Sequence, residues 1–223
     1  MSNHHIAVAI DGPAASGKST VAKRLAKQLG LIMVNTGAMY RAVAWATIQK
    51  GVDPSDTAAV VAMLSSVEFR CGVTEMLSTV LVDGADPGEE LRQDAVNGRV
   101  SKVAAIPEVR ALLVKMQRDY LELGSVVMEG RDIGSVVFPD TPFKMYIDAS
   151  ESVRRMRRAA EGIIDDPTAR DKEDSERKSS PLVIAEGAVV IDSSELTIEE
   201  VVEQAVGVLA ERGAPQEILD RVR

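Results

Sequence analysis

Residues 5–20 read HIAVAIDGPAASGKST, and the rest of the chain is best interpreted outward from them. His5 to Ile10 is a short apolar, β-branched run that predicts a buried strand, and Asp11-Gly12-Pro13 ends it. The segment Gly12-Pro13-Ala14-Ala15-Ser16-Gly17-Lys18-Ser19 matches GxxxxGK[ST] at every fixed position, and Thr20 follows it. Gly12 and Gly17 let the backbone turn its N–H groups inward with no side chain in the way of a phosphate. A helix is expected from Gly17, with Val21, Leu25 and Leu29 on one face, Lys23, Arg24 and Lys27 off it, and Gly30 as its stop. Its N-terminus adds the positive end of a helix dipole. Lys18 then reaches β- and γ-phosphates as a point charge, and the Ser19 hydroxyl is a ligand for Mg²⁺. A chance match in a chain of ordinary composition occurs roughly once in a hundred. An ordinary glycine turn capping a helix is the bland alternative, and the strand before and helix after outweigh it. The expected ligand is a nucleoside triphosphate.

Farther along, Leu31 to Val34 predicts a second buried strand and Ala38 to Gln49 a helix ending near Gly51, the alternation of a parallel α/β sheet. Between about 63 and 92 the texture changes. Val67 to Arg70 and Ser78 to Val82 alternate as short strands around Gly72 and Gly84, which suggests a small antiparallel appendage. Val96 to Leu123 is expected to be helical with a break at Pro107. Further strands are expected at Ser125–Met128, Phe143–Ile147 and Ala188–Ile191. A helix over Ile198–Arg212 carries Val201, Val202, Ala205, Val208 and Leu209 as its core stripe. Five parallel strands with helices between them are the simplest architecture. Residues 165–180, DDPTARDKEDSERKSS, hold Ala169 as their one apolar side chain, so that segment is expected to be mobile, interacting or both rather than core.

Composition narrows the function classes. With 45% hydrophobic and 27% charged residues among 223, the chain is neither disordered nor collagen-like. No apolar stretch approaches the length of a membrane span, and MSNHHIAVAID lacks the basic start and long apolar core of a secretory signal. The one cysteine, Cys71, cannot form an internal disulfide, so a reducing, cytoplasmic setting is expected. A net charge of −8 and 3% aromatics argue against a nucleic-acid polymer as partner. Nothing periodic or strongly apolar on the surface argues for assembly, so a monomer is expected. His4, His5 and Cys71 have no metal-ligand or base partners in the sequence and read as bland. The run Arg154-Arg155-Met156-Arg157-Arg158 reads as a solvated helix face, with a reach toward bound triphosphate as the minority reading.

A phosphate loop alone does not separate kinases, GTPases and ATP-driven machines. The Asn/Thr-Lys-x-Asp of GTPases is absent, and Met128 is followed by Glu129-Gly130 rather than by Asp-Glu. Instead, Arg41, Arg110, Arg131, Arg170 and Arg177 lie beside helix starts and glycine turns. Phosphoryl transfer between two nucleotides needs such a set, because two polyanions must be held in line and their developing charge neutralised. Arginines in a polar segment also suit a lid that excludes water.

Three blocks carry a resemblance. Thr36-Gly37-Ala38-Met39-Tyr40-Arg41, Glu129-Gly130-Arg131-Asp132-Ile133-Gly134 with Val136 to Asp140, and Arg170-Asp171-x-x-Asp174-x-x-Arg177-x-x-x-Pro181-Leu182 closely resemble the bacterial cytidylate kinases, in family order over nearly the whole chain. The resemblance implies a P-loop kinase core of five parallel strands (residues 1–35, 93–150 and 183–223). It also implies a monophosphate-binding region (36–92) enlarged by a β insert at about 63–92, and a lid at about 151–182. It implies transfer of the γ-phosphoryl of ATP to CMP or dCMP with Mg²⁺, a step of pyrimidine nucleotide metabolism. By position, Arg41, Arg131 and Arg177 resemble the arginines that grip the acceptor phosphate, with Thr36 nearby. Ser101, Arg110 and Asp132 resemble the cytosine-reading set, in which Asp132 accepts from N4–H while Ser101 and Arg110 donate. Arg170 and Asp174 resemble the pair that addresses the sugar, Arg170 also serving the transferring phosphate. Lys18, Arg131, Arg170 and Arg177 are the expected catalytic cations. Two departures stand out: Glu129 where Asp is frequent, and a shortened arm between Ser150 and Arg170. Another acceptor, such as UMP or AMP, and a catalytically silent nucleotide-binding regulator are the alternatives.

Overall fold

The structure is a computed structural model that describes residues 5–160, 167–177 and 180–221, with residues 167–170 described in backbone only. His4, the 161–166 part of the expected lid and positions 178–179 of the polar segment lie outside the described residues.

Strand β1 (Ala7–Asp11) is buried along its whole length, as a continuous apolar run predicts for a central parallel strand. Gly17 turns the chain into α1 (Lys18–Leu29), which buries Val21, Ala22, Leu25, Ala26 and Leu29, and Gly30 ends it in the left-handed conformation. Strand β2 (Ile32–Asn35) leads into α2 (Thr36–Gln49), whose start is fixed by the Asn35 side chain accepting from the Ala38 N–H. Helix α3 (Thr57–Ser66) precedes a hairpin of β3 (Phe69–Thr74) and β4 (Leu77–Val82). A short 3₁₀ turn at Gly88–Arg92 leads to α4 (Asp94–Ala104) and then to α5 (Pro107–Leu123), the break falling at Pro107 as the sequence suggests. The chain continues through β5 (Val126–Gly130), a π turn at Ile133–Val137, β6 (Lys144–Asp148), α6 (Glu151–Ala160) and α7 (Pro167–Ser175). It finishes with β7 (Val189–Asp192), α8 (Ile198–Glu211) and α9 (Gln216–Leu219). A capping box between Thr197 and Glu200 starts α8.

The sheet order is β3-β4-β2-β5-β1-β6-β7. The five strands β2, β5, β1, β6 and β7 run parallel, as expected. The hairpin is antiparallel, but it is not a detached appendage. Met33 pairs with Leu77, and the Met33 N–H reaches Met76 O at 2.8 Å, so the insert extends the core sheet to seven strands. Alternation along the strands divides the core. Ala7, Ala9, Ile32, Val34, Val126 and Met128 face α2, α4 and α5, while Val8, Ile10, Met33 and Val127 face α1 and α8. Each fully buried Leu or Ile in these layers contributes about 2 kcal/mol. One consequence positions the site: β1, β2 and β5 end together, so Asp11, Asn35 and Gly130 deliver their following loops to a common edge.

Candidate active site

The phosphate loop leaves β1 through Gly12, where a Cβ would lie 2.1 Å from the Ile147 carbonyl oxygen, so no side chain fits there. Ala15 takes a left-handed φ of 58° in the loop that leads into α1. Lys18 folds over this loop, its Nζ donating to Pro13 O at 3.0 Å. A cleft of about 240 Å³ opens between the loop and α2, α4 and the end of β5. Among the expected donor-site residues, Ala14, Ala15, Gly17, Lys18, Ser19 and Thr20 line it, whereas Gly12, Pro13 and Ser16 are buried behind them. Thr36, Arg41, Arg110, Arg131, Asp132, Asp174 and Arg177 line it as well.

On the acceptor side, Thr36 is buried and its hydroxyl donates to Glu129 O at 2.8 Å, tying α2 to β5. Gly130 lets this approach happen, since a Cβ there would meet Thr36 Oγ1 at 2.7 Å. The Arg41 guanidinium lies against Gly37. Arg110 and Asp132 form an ion pair with side chains only 5% and 7% exposed. Burial pushes the Asp132 carboxyl up, with Arg110 pulling the other way. Arg110 also lies 5.6 Å from the centroid of the Tyr40 ring. The Tyr40 hydroxyl is buried without a partner among the described residues, and burial pushes it up to about 12. Ser101 is half-buried on α4, where its neighbours Val100 and Ala104 line the cleft and Ser101 does not.

The polar segment interacts with the site, one of the two outcomes expected of it. Part of the polar segment is the helix α7, and two of its acids are buried: Asp171 is 9% exposed and Asp174 1%. Asp174 holds Arg131 Nε at 2.9 Å and pairs with Arg177. Arg170 lies on α7, but its side chain is outside the described residues. The Arg154–Arg158 run is not the solvated helix face that its spacing suggests. Arg155 alone of its arginines is solvent-exposed, paired with Glu151 at 2.6 Å. Arg154 donates to Ala14 O, Arg157 to Ser16 O and Ser193 O, and Arg158 lines the cleft. Guanidiniums on long stems reach the backbone carbonyls of the phosphate loop, a destination that helical charge spacing does not reveal.

Asp11 also went unassigned from the sequence, where it reads as turn punctuation. It is 3% exposed and accepts from the N–H groups of Ile133 at 2.8 Å and Gly134 at 2.7 Å. Gly12 O accepts from Arg131 Nη1 at 2.7 Å, so the start of the loop grips the Arg131–Gly134 block twice. Burial pushes the Asp11 carboxyl from 3.8 up to about 7, although those two N–H groups pull it down. Between about pH 4 and 7 the native state therefore holds a proton that the unfolded chain has released. Stability from this group falls as pH rises through that window, by ~4 kcal/mol in all, and is level above it. Asp11→Asn removes the slope. Urea unfolding of both proteins from pH 4 to 8 is expected to show the difference tilting against the wild type by several kcal/mol. Parallel curves would show that Asp11 titrates as an ordinary carboxylate.

At the end of β5, Ser19 Oγ donates to Glu129 Oε1 at 3.0 Å. A hydroxyl and a carboxylate beside the phosphate loop are the hard oxygen donors that Mg²⁺ takes together with water and phosphate oxygens, so the residues present fit that ion.

Comparison with known proteins identifies the family of the chain. The family model described as cytidylate kinase matches residues 8–211. A cytidylate kinase of Pelotomaculum thermopropionicum is 46% identical over 212 residues, covering 89% of this chain and 93% of that protein. One from Caldanaerobacter subterraneus subsp. tengcongensis is 43% identical over 215 residues, covering 92% and 94%. Among solved structures, TT1252 from Thermus thermophilus aligns over 96% of this chain and all of its own, with a TM-score of 0.50 at 20% identity, which supports the fold alone. Among the described residues no helix is long and apolar enough to cross a membrane.

Proposed function

Because the chain belongs to the cytidylate kinase family, we propose that it transfers the γ-phosphoryl group of ATP to CMP and dCMP in the cleft between the phosphate loop and the Arg110–Asp132 pair. The observation that carries this reading is that pair: a buried donor and a buried acceptor fixed against each other, facing the cleft opposite the loop. Cytosine offers N4–H as a donor with N3 and O2 as acceptors, so Asp132 accepts and Arg110 donates, with Ser101 as the third member of the set. Arg41, Arg131 and Arg177 hold the acceptor phosphate beside Thr36, and Arg170 with Asp174 addresses the sugar. Lys18, Arg131, Arg170, Arg177 and the loop amides stabilise charge on the phosphoryl group in flight. No general base is required, since the acceptor phosphate is already an anion. Ser19 and Glu129 would hold Mg²⁺, which when bound neutralises charge on the β- and γ-phosphates.

In this reading residues 1–35, 93–150 and 183–223 are the core, 36–92 the acceptor-binding region and about 151–182 the lid. The single half-buried Cys71 and the net charge of −8 suit a cytoplasmic monomer acting on small nucleotides. A coupled ADP-release assay over CMP, dCMP, UMP, AMP and GMP tests the proposal. CMP and dCMP are expected to be preferred over AMP and GMP by about 10² or more in kcat/KM. A preference for AMP defeats the assignment of Arg110 and Asp132. Binding of CMP without turnover restores the silent regulator.

A further inference from the structure

A serine far from the motif holds the phosphate loop from behind. Ser193 directly follows β7 and is 3% exposed. Its hydroxyl lies 2.9 Å from both Ser16 O and Asp148 O. A hydroxyl has one proton to give, and Asp148 O already accepts from the Ser193 N–H at 2.8 Å, so that proton goes to Ser16 O. Arg157 backs the contact. Its Nη1 donates to Ser193 Oγ at 3.0 Å and to Ser16 O at 3.2 Å, and its Nη2 donates to Ser193 O at 2.7 Å. The effect follows from peptide geometry. The Ser16–Gly17 peptide is trans and planar, so its C=O and N–H point in opposite directions. Drawing Ser16 O toward the end of β7 turns the Gly17 N–H to the other side, and Gly17 lines the cleft. Gly17 has a φ of 89° and no side chain of its own to fix that plane.

We propose that Ser193 is a positioning residue for phosphoryl transfer: by holding Ser16 O, it aims the Gly17 amide at the phosphates of the donor nucleotide. The proposal rests on the kinase reading above and extends it to a residue outside the motif. A loop that presents its N–H groups to a ligand must place its buried carbonyls elsewhere, and Ser16 is fully buried. Ser193 and Arg157 supply that place, and Arg154 does the same for Ala14 O at 3.2 Å. Because Ser193 is itself tied to Asp148 at the end of β6, the direction of the Gly17 amide is set by the ends of two core strands. An amide aimed in advance needs no reorganisation when charge develops on the phosphoryl group.

Titration calorimetry with ATP and with CMP, on wild type, Ser193→Ala and Ser193→Cys, tests this. Alanine removes the hydroxyl, cysteine keeps its approximate size with a weaker donor, and thermal melting checks that each variant is folded. The folded variants are expected to bind ATP about tenfold more weakly, the loss of one aimed hydrogen bond to a charged group, and CMP within about twofold of wild type. A merely structural role would not divide the two ligands in this way. ATP binding within about twofold of wild type overturns the inference, as does an equal loss for both nucleotides. If the wild type turns over CMP and ATP affinity is the same with and without the hydroxyl, the inference alone fails. If the wild type binds no ATP, the kinase reading fails with it.

Discussion

Lys18→Ala is expected to lower kcat/KM for phosphoryl transfer by about 10³ while leaving the melting temperature nearly unchanged. The magnitude follows from removing one preorganised cation at the point where charge develops, a loss of ~4 kcal/mol of transition-state stabilisation. Stability should hardly respond. Lys18 is half-buried at the first position of α1, its Nζ rests on the loop carbonyl of Pro13, and alanine suits a helix at least as well. The neighbouring arginines do not replace it. Arg131 is held by Gly12 O and by the Asp171 and Asp174 carboxylates, and Arg157 by Ser16 and Ser193. The coupled ADP-release assay and a thermal melt on the same preparation check both halves. A folded Lys18→Ala enzyme with activity within tenfold of wild type would sink the proposed mechanism.

The clustering of these cations explains how an acidic chain accommodates polyanions. Net charge describes the whole surface, whereas the cleft gathers Lys18, Arg41, Arg110, Arg131, Arg158 and Arg177 along one edge of the sheet. Asp132, Asp171 and Asp174 pair with Arg110, Arg131, Arg154 and Arg177 and offset part of that charge.

What was legible in the sequence follows from how local each signal is. The five parallel strands were readable because each is a short apolar run bounded by turn residues, and the phosphate loop because its glycines, lysine and serine fall within eight consecutive positions. The joining of the hairpin to β2 was not readable. It rests on backbone pairing at Met33 and on the Asn35 N–H donating to Ser78 Oγ, between segments more than 40 residues apart that no local pattern links. Asp11 shows a similar limit. Beside Gly12 and Pro13 it has the composition of a turn, and its role appears only when β1 and β5 align and bring Ile133 and Gly134 to it. The destination of the α6 arginines has a physical reason. Polar, helical sequence predicts solvation unless another charged surface lies opposite, and here the phosphate loop does. Arg41, Arg131 and Arg177 line the cleft, and in the sequence their motifs rather than any sign of burial mark them.

Asp132→Asn is expected to destabilise the fold by ~3 kcal/mol and to reduce the preference for CMP over UMP by about 10². The first effect comes from leaving the Arg110 guanidinium buried without its counter-charge, since breaking a buried pair from one side costs 3–5 kcal/mol in general, about the low end applying here. Its remaining contacts, Ala104 O at 3.4 Å and the Tyr40 ring, compensate only in part. The second effect comes from losing the acceptor for the cytosine N4–H, while an asparagine amide accepts and donates at the same place and so tolerates a uracil O4. A double variant separates the two. Arg110→Met with Asp132→Leu removes both charges and fills the space with apolar atoms, so urea unfolding should return to within about 1 kcal/mol of wild type. Its CMP preference should stay lost, because no directed donor or acceptor remains. If the restored double variant still prefers CMP, the pair is structural and base recognition must be sought elsewhere along the cleft. If stability and preference fall together in Asp132→Asn and only stability returns in the double variant, the same two side chains build the wall and read the base.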